Sequence, residues 1–350
     1  MLIELDELRT RQSWPFSKKL ATTQAKIMQV CKHTNWKIAV SFSGGKDSAV
    51  LLDQVALFWS LNKDKHGNKP LVVLFANTKN EFAGMIAYVK YYCQYISKKY
   101  NIEIDLRIAQ GKQDFIYVIR NVGYPIGSKK ISRQVRDIRN WMKISGVDQN
   151  EIESVFKKEK ELRKNLTNKY IKEMTDNKQY GGDVNAIKKE SYSKAKQEAA
   201  IWAANEFRFF EAPAGVVLYL TGIKQDDRPS FSWRLAEKWR PLLWAPFECS
   251  EECCGIIKKS PIRQIEEELQ LSPVIGEMAD DGNTRETAYL KTECNAFHGE
   301  KAKSKPMGFW LEQDVLTYIK IYNIPIFSIY GELIKLKNGT YKFTGEQRTG

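Results

Sequence analysis

The stretch SFSGGKDSAV, residues 41–50, closes the apolar run WKIAVSFS (36–43) and opens a helix-like segment, SAVLLDQVALFWSL (48–61). A strand that ends in a double glycine and feeds a helix aims several backbone N–H groups at one spot, where unpaired donors and the helix dipole favour an anion. Lys46 adds a cation there, and Ser43 and Ser48 add hydroxyls. The spacing is too short for a Walker A loop, which separates its first glycine from the Gly-Lys pair by four residues. The simpler alternative is a tight turn in which Asp47 and Ser48 only cap the helix.

Working outward, further apolar runs at PLVVLFANT (70–78), IEIDLRIA (102–109) and GVVLYLTG (215–222) read as strands. Helix-like segments separate the first three runs, with GMIAYVKYYCQYISKKY (84–100) the second of them. Strands that alternate with helices pair in parallel through crossovers. The expected class is therefore α/β, a layered and mostly parallel sheet with flanking helices.

Composition shifts between residues 148 and 211, where EIESVFKKEKELRKNLTNKYIKEM is dense in charge and a Gly-Gly break follows. The expected organisation is a nucleotide-binding core over 1–147, a charged helical insertion over 148–211, and the rest of the core with a cysteine-bearing C-terminal region over 212–350. The insertion's basic face (Lys157, Lys158, Lys160, Arg163, Lys164, Lys169) is either a nucleic-acid contact or a solvated helix surface. Over the chain, 55 Lys and Arg against 42 Asp and Glu leave +13, a balance suited to a polyanionic partner or to a merely lysine-rich surface. No stretch approaches the ~18 apolar residues of a membrane-spanning helix, and the N-terminus lacks a secretory pattern, so a cytoplasmic protein without membrane association is expected.

With its setting, SGGKDS is similar to the PP-loop of the adenine nucleotide α-hydrolase superfamily, and further segments resemble the phosphoadenosine phosphosulfate (PAPS) reductase family within it. These are FANTKNEF (75–82), GYPIGSKKISRQVRD (123–137), ECCGIIKKSPI (252–262), GEMADDGNTR (276–285) and FWLEQDVLTYI (309–319). The resemblance implies that Ser43, Gly44, Gly45, Lys46, Asp47 and Ser48 cradle the phosphates of ATP or PAPS, with magnesium. It implies that Asn77 and Thr78 lie beside the nucleotide. Catalytic roles fall to Lys46, Asp47 and Arg285, the last as a cation for the phosphate or sulfate end. Lys129, Lys130 and Arg133 form a second basic cluster, for an anion or simply for solvent. Two departures stand out: Asn77-Thr78-Lys79 occupies the place of the family's frequent Asp-Thr-Gly, and Gly282 that of a serine.

Six cysteines do not form a disulfide framework in this setting, yet Cys249, Cys253, Cys254 and Cys294 fall late in the chain. Three readings stay open for them: an iron-sulfur cluster, a zinc site that includes His298, or reduced thiols. KTECNAFHG (291–299) superficially resembles the nucleophilic tail of sulfonucleotide reductases, but it precedes the Trp-x-x-x-Asp-Val helix rather than following it. Cys31 and Cys93 read as core.

Three functions follow. The first is an ATP pyrophosphatase that adenylates an acceptor for sulfur transfer, as in the DNA phosphorothioation proteins, with DNA or tRNA as acceptor and a sulfur donor such as a cysteine desulfurase. The second is a PAPS or adenylyl sulfate reductase served by thioredoxin. The third is a non-catalytic nucleotide-sensing subunit of a nucleic-acid-binding assembly.

Overall fold

The computed structural model describes residues 3–299 and 301–347, and they divide into two compact units. One runs to Phe115 and resumes at Cys254; the other spans Ile116–Cys253. Among the described residues no helix is long and apolar enough to cross a membrane.

The first unit holds β1 (Ile38–Ser41), β2 (Leu71–Ala76), β3 (Ile104–Ala109), β4 (Ser272–Ile275), β5 (Asn295–His298) and β6 (Lys301–Ser304) in the order β3-β2-β1-β4-β6-β5. All neighbours are parallel except the β5–β6 hairpin. The mostly parallel α/β sheet expected from the alternating pattern is thus present. A small ribbon, β7 (Leu333–Lys335) with β8 (Tyr341–Phe343), completes the strands.

Val40 of β1 registers with Val73 on one side and Val274 on the other. The chain therefore builds β2 and β3 to one side of β1 and returns to its other side with β4. That reversal puts a topological switch point at the carboxyl ends of β1 and β4, where open α/β sheets bind ligands. β4 escapes the sequence reading because Pro273 sits inside it, and proline is a poor resident of a central strand. Here β6 meets β4 at the single register pair Val274↔Ser304, so the missing N–H costs little.

The helix Lys46–Ser60 after β1 is buried on nearly every face. At its centre Asp53, fully buried, accepts from Lys99 Nζ (2.7 Å), Tyr100 Oη (2.9 Å) and Tyr318 Oη (2.7 Å). A carboxylate without water is tolerated only with such donors.

In the second unit, Asp148 caps the helix Gln149–Asp176 through a reciprocal box with Glu151, and Asp183 caps the helix Val184–Phe209. Buried Ala195, Ala199 and Ala203 let these two long helices approach closely. The expected strand at 215–222 is instead the helix Ala214–Thr221. A short, wholly apolar run carries no period to separate the two states. Packing decides it: Val216, Val217 and Leu220 are buried at helical spacing, and Gly222 ends the turn at φ +80°. The two ends of the unit meet in a backbone bridge, Tyr124 N–H to Glu248 O (2.8 Å) and Ser250 N–H to Tyr124 O (3.0 Å). Only glycine fits beside it, because a Cβ on Gly123 would lie 2.8 Å from the Glu248 carbonyl.

Replacing Asp53 with alanine strands three donors in the core, one of them a charge. Urea titration of Asp53→Ala should show a loss of about 3 kcal/mol at unchanged m-value.

Candidate functional site

The loop after β1 is held by its own hydroxyls. Ser43 N–H donates to Ser48 Oγ (3.2 Å), the Ser43 and Ser48 hydroxyls lie 3.1 Å apart, and Ser48 Oγ donates to Gly45 O (2.9 Å). Gly44 takes the left-handed conformation at φ +76°, and a Cβ there would fall 2.2 Å from Met85 Sδ. Gly276, just past β4, lies close against the loop: a Cβ would stand 3.1 Å from Asp47 O and 3.2 Å from Ser48 N. Two carboxyl-terminal strand ends thereby meet with no side chain between them.

The Lys46 side chain is only 4 % exposed, and its ammonium touches Glu312 Oε1 (3.2 Å), the Gln347 carbonyl (3.1 Å) and Asp47 Oδ1 (3.7 Å). Its N–H donates to Tyr330 Oη at 3.1 Å. Over the loop opens a cleft of about 250 Å³, bordered by Ser43, Gly45, Lys46, Asp47 and Ser48 from β1 and by Gly276 and Glu277 from β4. Arg285, Lys258, Asp281 and Tyr330 also border it. Arg285 is 46 % exposed, with Nη1 2.5 Å from Asp281 Oδ2, so it keeps contact with solvent while held in place.

A narrower slot of about 120 Å³ shares Ser41, Ser43 and Lys258 with this cleft. Phe42, Leu74, Phe75, Ala76, Met85 and Ile262 make it largely apolar, and Glu81 borders it. Glu81 Oε1 accepts from Thr78 N–H (3.0 Å) and Thr78 Oγ1 (2.6 Å), whereas Glu81 Oε2 is buried and has no hydrogen-bond partner among the described residues. A polar cleft with cations therefore lies beside an apolar slot with one unsatisfied acceptor.

The structure brings Ser43, Gly45, Lys46, Asp47, Ser48 and Arg285 to one cleft, with Gly44 buried in the loop beneath. Asn77 and Thr78 border neither cavity; Asn77 Nδ2 bonds Gln110 Oε1 (3.1 Å), and Thr78 fixes Glu81. Lys130 is bound to the Ser232 carbonyl and lies 4.8 Å over the Trp233 ring, while Arg133 pairs with Glu251 at 2.9 Å. Lys258, Glu81, Gly276 and Tyr330 were missed as site residues. Lys258 had a signal in its Lys-x-x-Pro setting: it lies in a π turn, Gly255–Lys259, just before Pro261, which has no N–H to give to the Ile257 carbonyl.

Among the described residues no group of three or more His, Cys, Asp and Glu side chains is disposed to hold a metal ion. Cys249 and Cys253 belong to the second unit and Cys254 and Cys294 to the first. Cys294 immediately precedes β5, is 1 % exposed, and directs its thiol to Pro306 O and Tyr289 Oη. Burial pushes that thiol up to about 11, and pushes Cys31 and Cys93 up to about 12. No cysteine borders the cleft or the slot among the described residues. Cys249, Cys253, Cys254 and Cys294 belong to no such metal-holding group among the described residues.

The family model described as the phosphoadenosine phosphosulfate reductase domain matches residues 37–151 and 222–335, more than half of the chain. No curated protein matches the chain.

Gly44→Ala should cost ~1–2 kcal/mol from the left-handed backbone and ~1–3 kcal/mol from the collision with Met85. A second substitution, Met85→Ala, should relieve the collision but not the backbone cost, as a double-mutant cycle in urea would show. Because a folded pKa above the unfolded one keeps the thiol protonated, Cys294 should resist iodoacetamide at pH 7.5 in the native state. Its alkylation should rise only as pH approaches about 11; rapid native modification at neutral pH would contradict its burial.

Proposed function

We propose that this chain, which belongs to the phosphoadenosine phosphosulfate reductase domain family, is an ATP pyrophosphatase that adenylates an acceptor for sulfur transfer. At family level it is an adenine-nucleotide enzyme. The observation that carries it is a cleft rich in groups that can bind phosphate, with no thiol on its wall among the described residues, beside a narrow apolar slot. A reductase needs an accessible thiolate at the sulfate sulfur, and Cys294 is buried and held protonated.

In this reading the base enters the slot between Phe42 and Met85, and its exocyclic amine donates to the unsatisfied Glu81 Oε2. Desolvation of that oxygen is already complete, so the hydrogen bond is gained without a further penalty. The triphosphate lies over Gly45–Ser48. Its oxygens take the loop N–H groups and draw Lys46 Nζ from the Gln347 carbonyl, exchanging a neutral partner for a charged one. Arg285 and Lys258 face the same charge from the far wall. An acceptor oxygen attacks the α-phosphorus, the bond to the α,β-bridging oxygen breaks, and pyrophosphate leaves with the negative charge. Lys46 and the loop donors stabilise that developing charge; the protein's part is positioning and electrostatics. The terminal sulfur of a donor persulfide, such as that of a cysteine desulfurase, then attacks the activated acceptor atom and displaces AMP, and a dithiol reductant cleaves the remaining S–S bond, which frees the thio-acceptor and the donor thiol.

Magnesium fits this wall, because Asp47 and Glu277 border the cleft and the ion commonly needs only one or two carboxylates besides phosphate oxygens. When bound it offsets phosphate charge.

The test incubates the protein with α-labelled ATP and a nucleic-acid acceptor, and separately with PAPS and thioredoxin. Labelled, adenylated acceptor and pyrophosphate should form in the first, about 10²- to 10³-fold more slowly in Lys46→Ala, with no sulfite in the second. Sulfite release would favour the reductase, and tight ATP binding without products would favour a sensor.

A further inference from the structure

We infer that the second unit carries a binding cleft for single-stranded nucleic acid, lined by Lys160, Arg163, Lys196 and Arg240. The cavity is about 330 Å³ and lies between the helices Gln149–Asp176 and Val184–Phe209 and the segment 231–240. Its two acids offset it only in part. Glu159, 3 % exposed, is gripped by both Arg234 nitrogens, and the attraction of Glu159 and Glu237 for Arg240 does not outweigh the effect of its burial and of neighbouring Arg234.

Three of the four cations lie against aromatic rings, and Lys160 joins them on the cavity wall. Arg240 stacks 3.6 Å over Phe156, Lys196 lies 4.1 Å over Phe231, and Arg163 lies 5.9 Å from the Tyr192 ring. A ring face fixes a cation in place but leaves its charge whole, unlike a carboxylate. Among the described residues none of the four is in an ion pair, although Arg133, Arg136, Arg139, Arg208, Arg228 and Arg285 all are. Arg240 is half-buried beside Arg234, and burial lowers its pKa, so an anion placed there relieves a penalty already present.

This distinguishes the cleft from a solvated helix face, where lysines extend into water and meet no concave wall. A phosphate chain matches the four charges, and Tyr192, 49 % exposed, offers a ring for an unstacked base. A duplex keeps its bases stacked inside and gives such a ring nothing to hold. The inference names the acceptor class for the activation proposed above, but it rests on this cleft alone.

The experiment uses the full chain without nucleotide, and anisotropy of a short fluorescein-labelled single strand across a salt series. Failure of ATP turnover and failure of strand binding are then separate results. Lys160→Ala/Arg163→Ala/Lys196→Ala should lose about tenfold or more in affinity, with the log–log salt slope reduced by about 2, at ~0.7 per contact removed. Arg240→Lys should keep the slope and lose part of the affinity, since the stacked fork is gone but the charge remains. As control, Lys157→Ala/Lys158→Ala/Lys164→Ala on the same helix should change affinity by less than about twofold. Equal losses in both triple variants, no loss in the cleft variant, or tighter binding of a matched duplex would each overturn the assignment. So would strand binding abolished by inorganic phosphate at low millimolar concentration, which would mark a site for the free ion. A thermal melt shared by both triple variants keeps misfolding from imitating the expected result.

Discussion

A single carboxylate with no access to water organises the nucleotide-binding unit. Asp53 sits in the helix that begins at the glycine loop, and its three donors come from two other helices, Met85–Tyr100 and Glu312–Tyr322. The Tyr100 and Tyr318 hydroxyls are pushed towards higher pKa by burial and by the Asp53 charge, so they remain donors at any ordinary pH. Three helices are thereby locked at one depth. The loop at the amino end of the first cannot rise or sink over the sheet without breaking that cluster.

Given that fixed height, the rest of the site follows from topology. The reversal of strand order at β1 leaves a crevice between its end and that of β4, and glycine on each side removes the side chains that would fill it. Cations then gather where backbone donors already point. Lys46 is buried and pre-oriented, while Arg285 and Lys258 remain on the rim, a division suited to holding phosphate firmly and meeting it first from solvent.

The loop and the sheet class were legible in the sequence because each rests on local pattern: a strand, two glycines and a helix, then a second strand, a second helix and a third strand. What escaped depends on distant partners. Pro273 hid β4, whose neighbours alone make a proline acceptable there. The run 215–222 has no period, so only its packing could decide its state. Glu81 borders the apolar slot beside Thr78, whose hydroxyl holds its carboxylate, a contact that sequence does not display. For Cys294 the neighbouring KTEC–H pattern was real, but the fold uses it to enter an edge hairpin with the thiol turned inward. In the charged insertion, sequence lists every lysine alike. Only geometry separates those over aromatic rings in a hollow from those in open water.

The backbone bridge between Tyr124 and Cys249 has a consequence for how the chain assembles. β4 must find β1 after a long excursion, and parallel pairing at such separation is slow because closure entropy comes before any contact rewards it. Yet the excursion departs and returns at adjacent residues, clamped by Gly123 against Glu248. Once the intervening helices have folded, β3 and β4 are joined by what amounts to a short tether. The bridge thus shortens the search for the strand that completes the switch point.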